Sequence, residues 1–294
     1  MRYADINQNF NLKLNTMKKL NLIIASLMII GVISLTTSCN KDEKQIVDDT
    51  SVSADDALAD GIYSNATNIA DEAYNSGSGG LKSGDGINQF LSGCATVTLD
   101  TTVMPRELTI DFGDSNCLCQ DGRWRRGKIL VTFTGRYRMP GTVITYGFDN
   151  YHVNDNHVDG TKVITNMGLN EDNNLYYNIE IVGVIYKADN GGTISWNSSR
   201  VREWVEGVFT IFNPWDDVYL ITGTAEGIRP NGQTWEREIV SPLRIQLSCR
   251  WIVSGTVEIS PEGLPLRILD FGTGECDNIA TVLVNGVTYT IFLH

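Results

Sequence analysis

The hydrophobic pattern divides the chain into three stretches. From about Gln89 to the end, apolar and polar positions alternate with a period of two. β-branched and aromatic residues dominate the apolar set, which is the signature of half-buried strands. Such runs occupy 95–99, 107–112, 128–133, 143–148, 162–165, 176–182, 193–197 and 206–212. They continue at 219–224, 234–240, 244–247, 251–259, 266–271, 280–284 and 288–293. Between them lie Asp121-Gly122, Asp159-Gly160, Asp189-Asn190-Gly191-Gly192, Asn231-Gly232 and Asn285-Gly286. Asn-Gly and Asp-Gly pairs supply the positive φ angles that tight hairpins need. No helical period occurs after Asn75. The pattern predicts an all-β, antiparallel region of 12 to 16 strands over 89–294. That many strands must form a large β-sandwich or a curved β-meander.

One amphipathic helix precedes this region, over 53–75. Ser53 is its expected cap, and Asp55 and Asp56 fall in the first turn, where the helix dipole favours negative charge. Leu58, Ile62, Ala66, Ile69 and Ala73 recur at three- and four-residue steps and make an apolar stripe that packs on the main domain. The segment 76–88, rich in Gly and Ser, reads as a flexible linker.

The third stretch lies at the amino terminus. Lys18 and Lys19 precede an almost uncharged run over 20–35, shorter than the roughly 20 residues of a spanning helix. Thr36-Thr37-Ser38-Cys39 comes next. A charged start, a short apolar run and a small residue before a cleavage point make a signal peptide over 1–38, with 1–16 read as an over-extended start before Met17. The segment resembles a bacterial lipoprotein signal. In such signals the Cys, here Cys39, is lipidated with palmitate and becomes the first residue. The usual Leu three places before the Cys is replaced by Thr36, and Leu35 stands one place earlier, as in the looser signals of Bacteroidota. Lys41-Asp42-Glu43 after Cys39 resembles the signal that sends lipoproteins of that phylum to the outer face of the outer membrane. The resemblance implies a lipid-anchored protein on the cell surface, with 39–52 as a polar tether.

Charge then sharpens the reading. The whole chain has 23 Lys plus Arg, 35 Asp plus Glu and a net charge of −12. Without 1–38 it stands at −15, with 19 basic and 34 acidic side chains. Such a surface repels phosphate and anionic headgroups, so nucleic acid is excluded as a partner and membrane contact falls to the lipid alone.

An internal echo frames the β region. The stretch 95–100, then Asp111-Phe112-Gly113, then Cys117 matches 255–260, then Asp270-Phe271-Gly272, then Cys276. Asp-Phe-Gly ends a strand both times, and none of the other kinase motifs is present. The repeat suggests two disulfides, Cys249 with Cys276 and Cys94 with Cys117, leaving Cys119 free or exchanging with Cys117. The Cys117-Leu-Cys119 spacing is too short for a zinc finger pair.

Candidate chemistry is sparse. Four cations, Arg123, Arg125, Arg126 and Lys128, crowd one hairpin beside Trp124 and offer an anion or sulfated-sugar contact. The alternative is that they pair with nearby carboxylates. Trp215, between Pro214 and Asp216-Asp217, is the best candidate for an exposed sugar platform. Asp155, Asn156 and Asp159 are weak calcium candidates without the spacing of a calcium loop. No nucleophile elbow, zinc-protease motif or phosphate loop occurs, and no cofactor is implied. The segments Cys117 to Lys128, Asp149 to Lys162 and Gly274 to Asn278, with the repeated Asp-Phe-Gly, resemble a group of Bacteroidota surface lipoproteins that brings no activity with it. The expected function is a non-catalytic binding or structural module of the cell envelope, with a glycan or an envelope protein as partner. The alternatives are a glycan-binding accessory or glycoside hydrolase, and a carrier of an apolar ligand.

Overall fold

A computed structural model describes residues 40–77, 91, 93, 95–210 and 213–293. It divides into two compact units, Met1–Asp49 and Thr50–His294, and the second holds all the strands described. Cys39 and Cys94 lie outside the described residues.

Fourteen strands form a single antiparallel sheet. They are β1 (Thr96–Asp100), β2 (Arg106–Asp111), β3 (Cys117–Leu118), β4 (Trp124–Phe133), β5 (Val143–Val153), β6 (Asn156–Leu169) and β7 (Leu175–Tyr186). The remainder are β8 (Thr193–Glu206), β9 (Val218–Ile228), β10 (Thr234–Gln246), β11 (Ile252–Pro261), β12 (Arg267–Thr273), β13 (Ile279–Val284) and β14 (Val287–Phe292). Each pairs with its neighbour in sequence, except that β2 pairs with β4 and the short β3 adds to β4. The sheet is therefore a meander with β1 and β14 as open edges, and the two-sheet sandwich is not what forms.

Most expected turns are where the Asn-Gly and Asp-Gly pairs place them: Gly122, Asn190, Gly192, Gly232, Asn285 and Gly286 all take positive φ. Two expectations need correction. Asp159-Gly160 is not a turn but part of β6, and the turn before it is Asn154-Asp155, at φ 48° and 63°. Gly160 takes a positive φ inside the strand because a Cβ there would sit 2.2 Å from the Val182 carbonyl oxygen of β7. The described part of the run 206–212 is not a strand either, since β8 ends at Glu206 and a turn begins at Gly207, and 211 and 212 lie outside the described residues.

The helix, α1, spans Asn40–Gly77, so it starts at Asn40 and not at Ser53. Ser53 is buried within it, and Asp55 and Asp56 are not in its first turn. Ala54, Ala57, Ser64, Asn68 and Asp71 are exposed, and they form one narrow stripe. Ile62, Ala66, Ile69 and Ala73 of the expected stripe are buried, and so are Val52, Asp55, Asp56, Ala59, Tyr63, Thr67 and Ala70 around it. A helix buried over most of its circumference lies in a trough, not on a flat surface.

The sheet forms that trough by curling. Side chains of β4, β5, β6, β8 and β10 all reach α1. Six strand spacings separate β4 from β10, about 29 Å if flat, whereas a helix with its side chains is about 10–12 Å across. The Tyr63 ring lies 5.7 Å from both Phe148 of β5 and Trp196 of β8. Its hydroxyl donates to the Asp159 carbonyl at 2.7 Å. Gly183 of β7 has no side chain because a Cβ there would fall 2.2 Å from that hydroxyl.

Charges lock the helix in place. Asp60 accepts from Arg200 Nη1 at 2.7 Å and from Arg237 Nη1 at 2.8 Å. Asp56 accepts from Trp196 Nε1 at 3.0 Å and pairs with Arg237 at 3.2 Å. Asp55 meets Lys187 at 2.8 Å and Arg229 at 3.1 Å, from the turns after β7 and β9. Burial alone would raise the Asp60 carboxyl, but the charges and hydrogen bonds of Arg200 and Arg237 outweigh it and hold the group well below the usual carboxylate range. Farther along, Lys162 Nζ donates to the Tyr63 carbonyl at 2.9 Å and to Thr67 Oγ1 at 2.6 Å. Burial, helped by Arg200, lowers this ammonium to about 7, against the pull of Asp60 and Asp71.

These contacts set two expectations for the folded chain. Asp60→Ala takes the carboxylate from the buried Arg200 and one of two from Arg237, which keeps Asp56, and should cost about 3–5 kcal/mol in urea unfolding. Asn68→Ala, on the exposed stripe, should change little, and equal losses from the two variants would show that the lock carries no weight. Lys162 gives a pH signature. Its folded pKa lies below its unfolded one, so between about pH 7 and 10.5 the unfolded chain binds the extra proton and stability rises with pH. The slope should approach about 1.4 kcal/mol per pH unit. The stability difference between wild type and Lys162→Met, measured from about pH 7.5 to 9.5, isolates this group from other titrations. A difference that stays constant over that window would mean that Lys162 is not held neutral.

Candidate functional site

The cationic hairpin at the start of β4 does not present a common face. Arg125 is completely buried. It grips Asp121 with both terminal nitrogens, at 2.7 and 2.6 Å, and also donates to Asn65 of α1 at 2.7 Å. Arg126 pairs with Asp155 and Asn116, Lys128 pairs with Asp111 at 3.2 Å, and Arg123 leans on Asp121 at 3.9 Å. Each expected ligand contact in this hairpin thus has a carboxylate partner, and Arg125 is closed to any ligand. Trp124 is exposed beside them.

The weak calcium candidates are also engaged. Asp155 is turned to Arg126 and Asn116. Asn156 donates to the Val153 carbonyl and accepts from the Ala188 amide. Asp159 caps the Gly160 amide. Among the described residues no group of three His, Cys, Asp or Glu could hold a metal ion. Cys249 and Cys276 form the expected disulfide, Cys117 is disulfide-bonded, and Cys119 is free and buried.

The two Asp-Phe-Gly copies do the same local work. Asp111 Oδ1 accepts from the Gly113 amide and Asp270 Oδ1 from the Gly272 amide, both at 2.8 Å. Both glycines are left-handed, at φ 78° and 89°, and both phenylalanines are buried. The motif folds a carboxylate back on the backbone and drops an aromatic ring into the core. It ends a strand only in the first copy, at Asp111 of β2, whereas the second copy lies inside β12, which runs on to Thr273.

The opposite end of the sheet holds a constellation that the sequence pattern does not announce. Trp215 lies in the loop between β8 and β9, in a short 3-10 turn (Pro214–Asp216), and is half exposed. Phe209 in the same loop is 94% exposed. This loop is tied to the one between β4 and β5, because Arg138 donates to the Val208 carbonyl. Beneath them the inner face carries Tyr177 of β7, Arg202 and Trp204 of β8, and Tyr219 of β9. Strict alternation puts them on one face, and the register sets Tyr177 opposite Arg202 and Trp204 opposite Tyr219. The Arg202 guanidinium sits 5.3, 5.0 and 5.6 Å from the rings of Tyr177, Tyr219 and Tyr137, and donates to the Tyr137 hydroxyl. Arg138 lies 4.3 Å over Trp204. The Tyr137 ring stacks on Tyr177 at 4.6 Å.

Two acids border the cluster. Burial raises the Asp217 carboxyl, against a hydrogen bond from Tyr219 and the charge of Arg138. The walls of the sheet crowd Asp71 of α1 and push its carboxyl up against Arg202 and Lys162, and water reaching this exposed residue tempers that shift. Neither acid forms an ion pair within 4.0 Å with Arg138 or Arg202, and no other carboxylate among the described residues does. Tyr177 Oη and Arg202 Nε are buried without a hydrogen-bond partner. The only readable signals of this site were Arg202 among the aromatic positions of β8 and the Pro-Trp of its loop.

Trp196, Trp204 and Trp235 face inward and are buried, so three of the six tryptophans serve packing. Among the described residues no helix is long and apolar enough to cross a membrane. Set against family models, curated proteins and solved structures, the chain matches none of them.

Proposed function

We propose that the protein is a lipid-anchored component of the cell envelope, displayed on the outer face of the outer membrane through Cys39, and that it binds a partner without catalysis. One observation supports this best: α1 fills the trough of the sheet. An enzyme acting on a glycan chain needs an open groove with two free carboxylates, and a carrier of apolar cargo needs an empty interior. Here the helix occupies that space. The carboxylates of Asp55, Asp56 and Asp60, which would otherwise line it, are spent on Lys187, Arg229, Arg237 and Arg200. What stays accessible is the loop end around Arg138, Arg202 and Trp215, and the partner is expected to bind there. The sequence supports the address through the apolar run over 20–35 and Cys39.

Metabolic labelling with a palmitate analogue should mark the wild-type chain and not Cys39→Ser. Protease treatment of intact cells should remove the protein. A chain that escapes the protease until the outer membrane is permeabilised would place it on the inner face and reject surface display, and an unlabelled wild type would reject the anchor.

A further inference from the structure

We infer that Arg138 and Arg202 form a binding site for an oxyanion, the carboxylate, phosphate or sulfate group of a ligand that enters at the loop end of the sheet. The inference rests on the binding role proposed above and names its ligand chemistry. Three observations carry it. First, the buried arginines that reach α1, Arg125, Arg200 and Arg237, each meet a carboxylate at 2.8 Å or less, whereas Arg138 and Arg202 meet none. A guanidinium stays charged, so a positive pair inside a fold has a counter-ion to find. Second, the rings hold both guanidiniums by their faces. Arg138 lies over Trp204, and Arg202 is set among Tyr137, Tyr177 and Tyr219. A cation held by its face keeps its in-plane N–H groups for an acceptor, and a planar fork fixed in advance suits a bidentate oxyanion. Third, most groups left without partners at the cluster are donors, the Trp204 indole among them, with the acceptor Asp217 Oδ1 as the exception. Arg202 Nε is another such donor, and so is the hydroxyl of Tyr177, a residue with 0% exposure. Asp71 and Asp217 border the site, and burial raises both carboxyls.

The test uses the mature full-length chain. Thermal stability and calorimetric binding are measured with sodium phosphate, sodium sulfate and sodium galacturonate, each against sodium chloride at equal ionic strength. At least one oxyanion should raise the melting temperature above the chloride control and give a saturable heat. Which of the three binds separates a phosphate ester, a sulfated glycan and an acidic sugar as the natural source. Arg138→Gln and Arg202→Gln should each weaken binding by roughly tenfold or more, the loss of a charge-assisted hydrogen bond. Arg126→Gln, in the paired hairpin at the other end, should bind as wild type. Arg138 is only half buried, so its variant keeps the test decisive if Arg202→Gln fails to fold. No effect beyond chloride, or binding that both variants retain, overturns the site. If the chain is lipidated and shaved from cells yet ignores all three oxyanions, the site is wrong while the proposed address stands.

Discussion

Three aspartates on one helix hold the structure together. Asp55, Asp56 and Asp60 point from α1 into a sheet that offers Lys187, Arg229, Arg237, Arg200 and the Trp196 indole. Burying so many charges costs heavily in desolvation, and a well-packed apolar set of equal volume would do as well for stability alone. What an apolar stripe of alanine and isoleucine cannot do is fix where the helix stops along its axis. A slide of one turn, about 5.4 Å, would carry Asp55 away from Lys187 and Arg229 and leave only one of Asp56 and Asp60, which stand four residues apart, beside Arg237. The ionic set therefore specifies register. The sheet in turn depends on the helix, because Arg200, Arg237 and Lys162 on its inner face find carboxylate, carbonyl or hydroxyl partners on α1.

This division explains what the sequence revealed and what it hid. Strands and turns are written locally. A period of two and a glycine with positive φ act over a few residues, so nearly all strands and most of the hairpin turns could be read directly. The exceptions share a non-local cause. Gly160 looked like a turn residue because glycine permits positive φ anywhere, but here the need came from the Val182 carbonyl of the next strand. Asp55 and Asp56 looked like first-turn acids because the dipole rule is also local. Their real partners lie from 132 residues away, Lys187 to Asp55, to 181, Arg237 to Asp56, and no local rule reaches that far. The choice between sandwich and meander was hidden for the same reason, since it depends on what fills the concave side.

The repeated Asp-Phe-Gly sits between these cases. Its recurrence was visible, and each element acts within three residues: carboxylate to glycine amide, ring to core. Its second feature, the cysteine six residues after the Asp, is non-local. In the second copy it bonds to Cys249, whose position depends on how β10 passes into β11. A carboxylate that turns back on the backbone and a disulfide that anchors the next loop do one job at two scales, the first by hydrogen bonding and the second covalently. Both copies lie on strands paired on either side, β2 between β1 and β4 and β12 between β11 and β13, one strand in from the β1 edge and two in from the β14 edge.

The arginines fall into two populations for a related reason. On α1 the acids that pair with the sheet end at Asp60; beyond it stand the exposed Asp71, and Glu72, which accepts from the Leu91 amide. Arginines above that level therefore find carboxylates, and Arg202, one step down β8 on the same face as Arg200, rests on tyrosine rings instead. The chain is strongly acidic as a whole, which would seem to discourage an anion at that place. Yet exposed charges more than about 8 Å away are largely screened at physiological ionic strength, while two guanidiniums set against buried rings are screened far less. The affinity of the loop end for an anion is thus decided by Arg138, Arg202, Asp71 and Asp217, and not by the net charge of the surface around them.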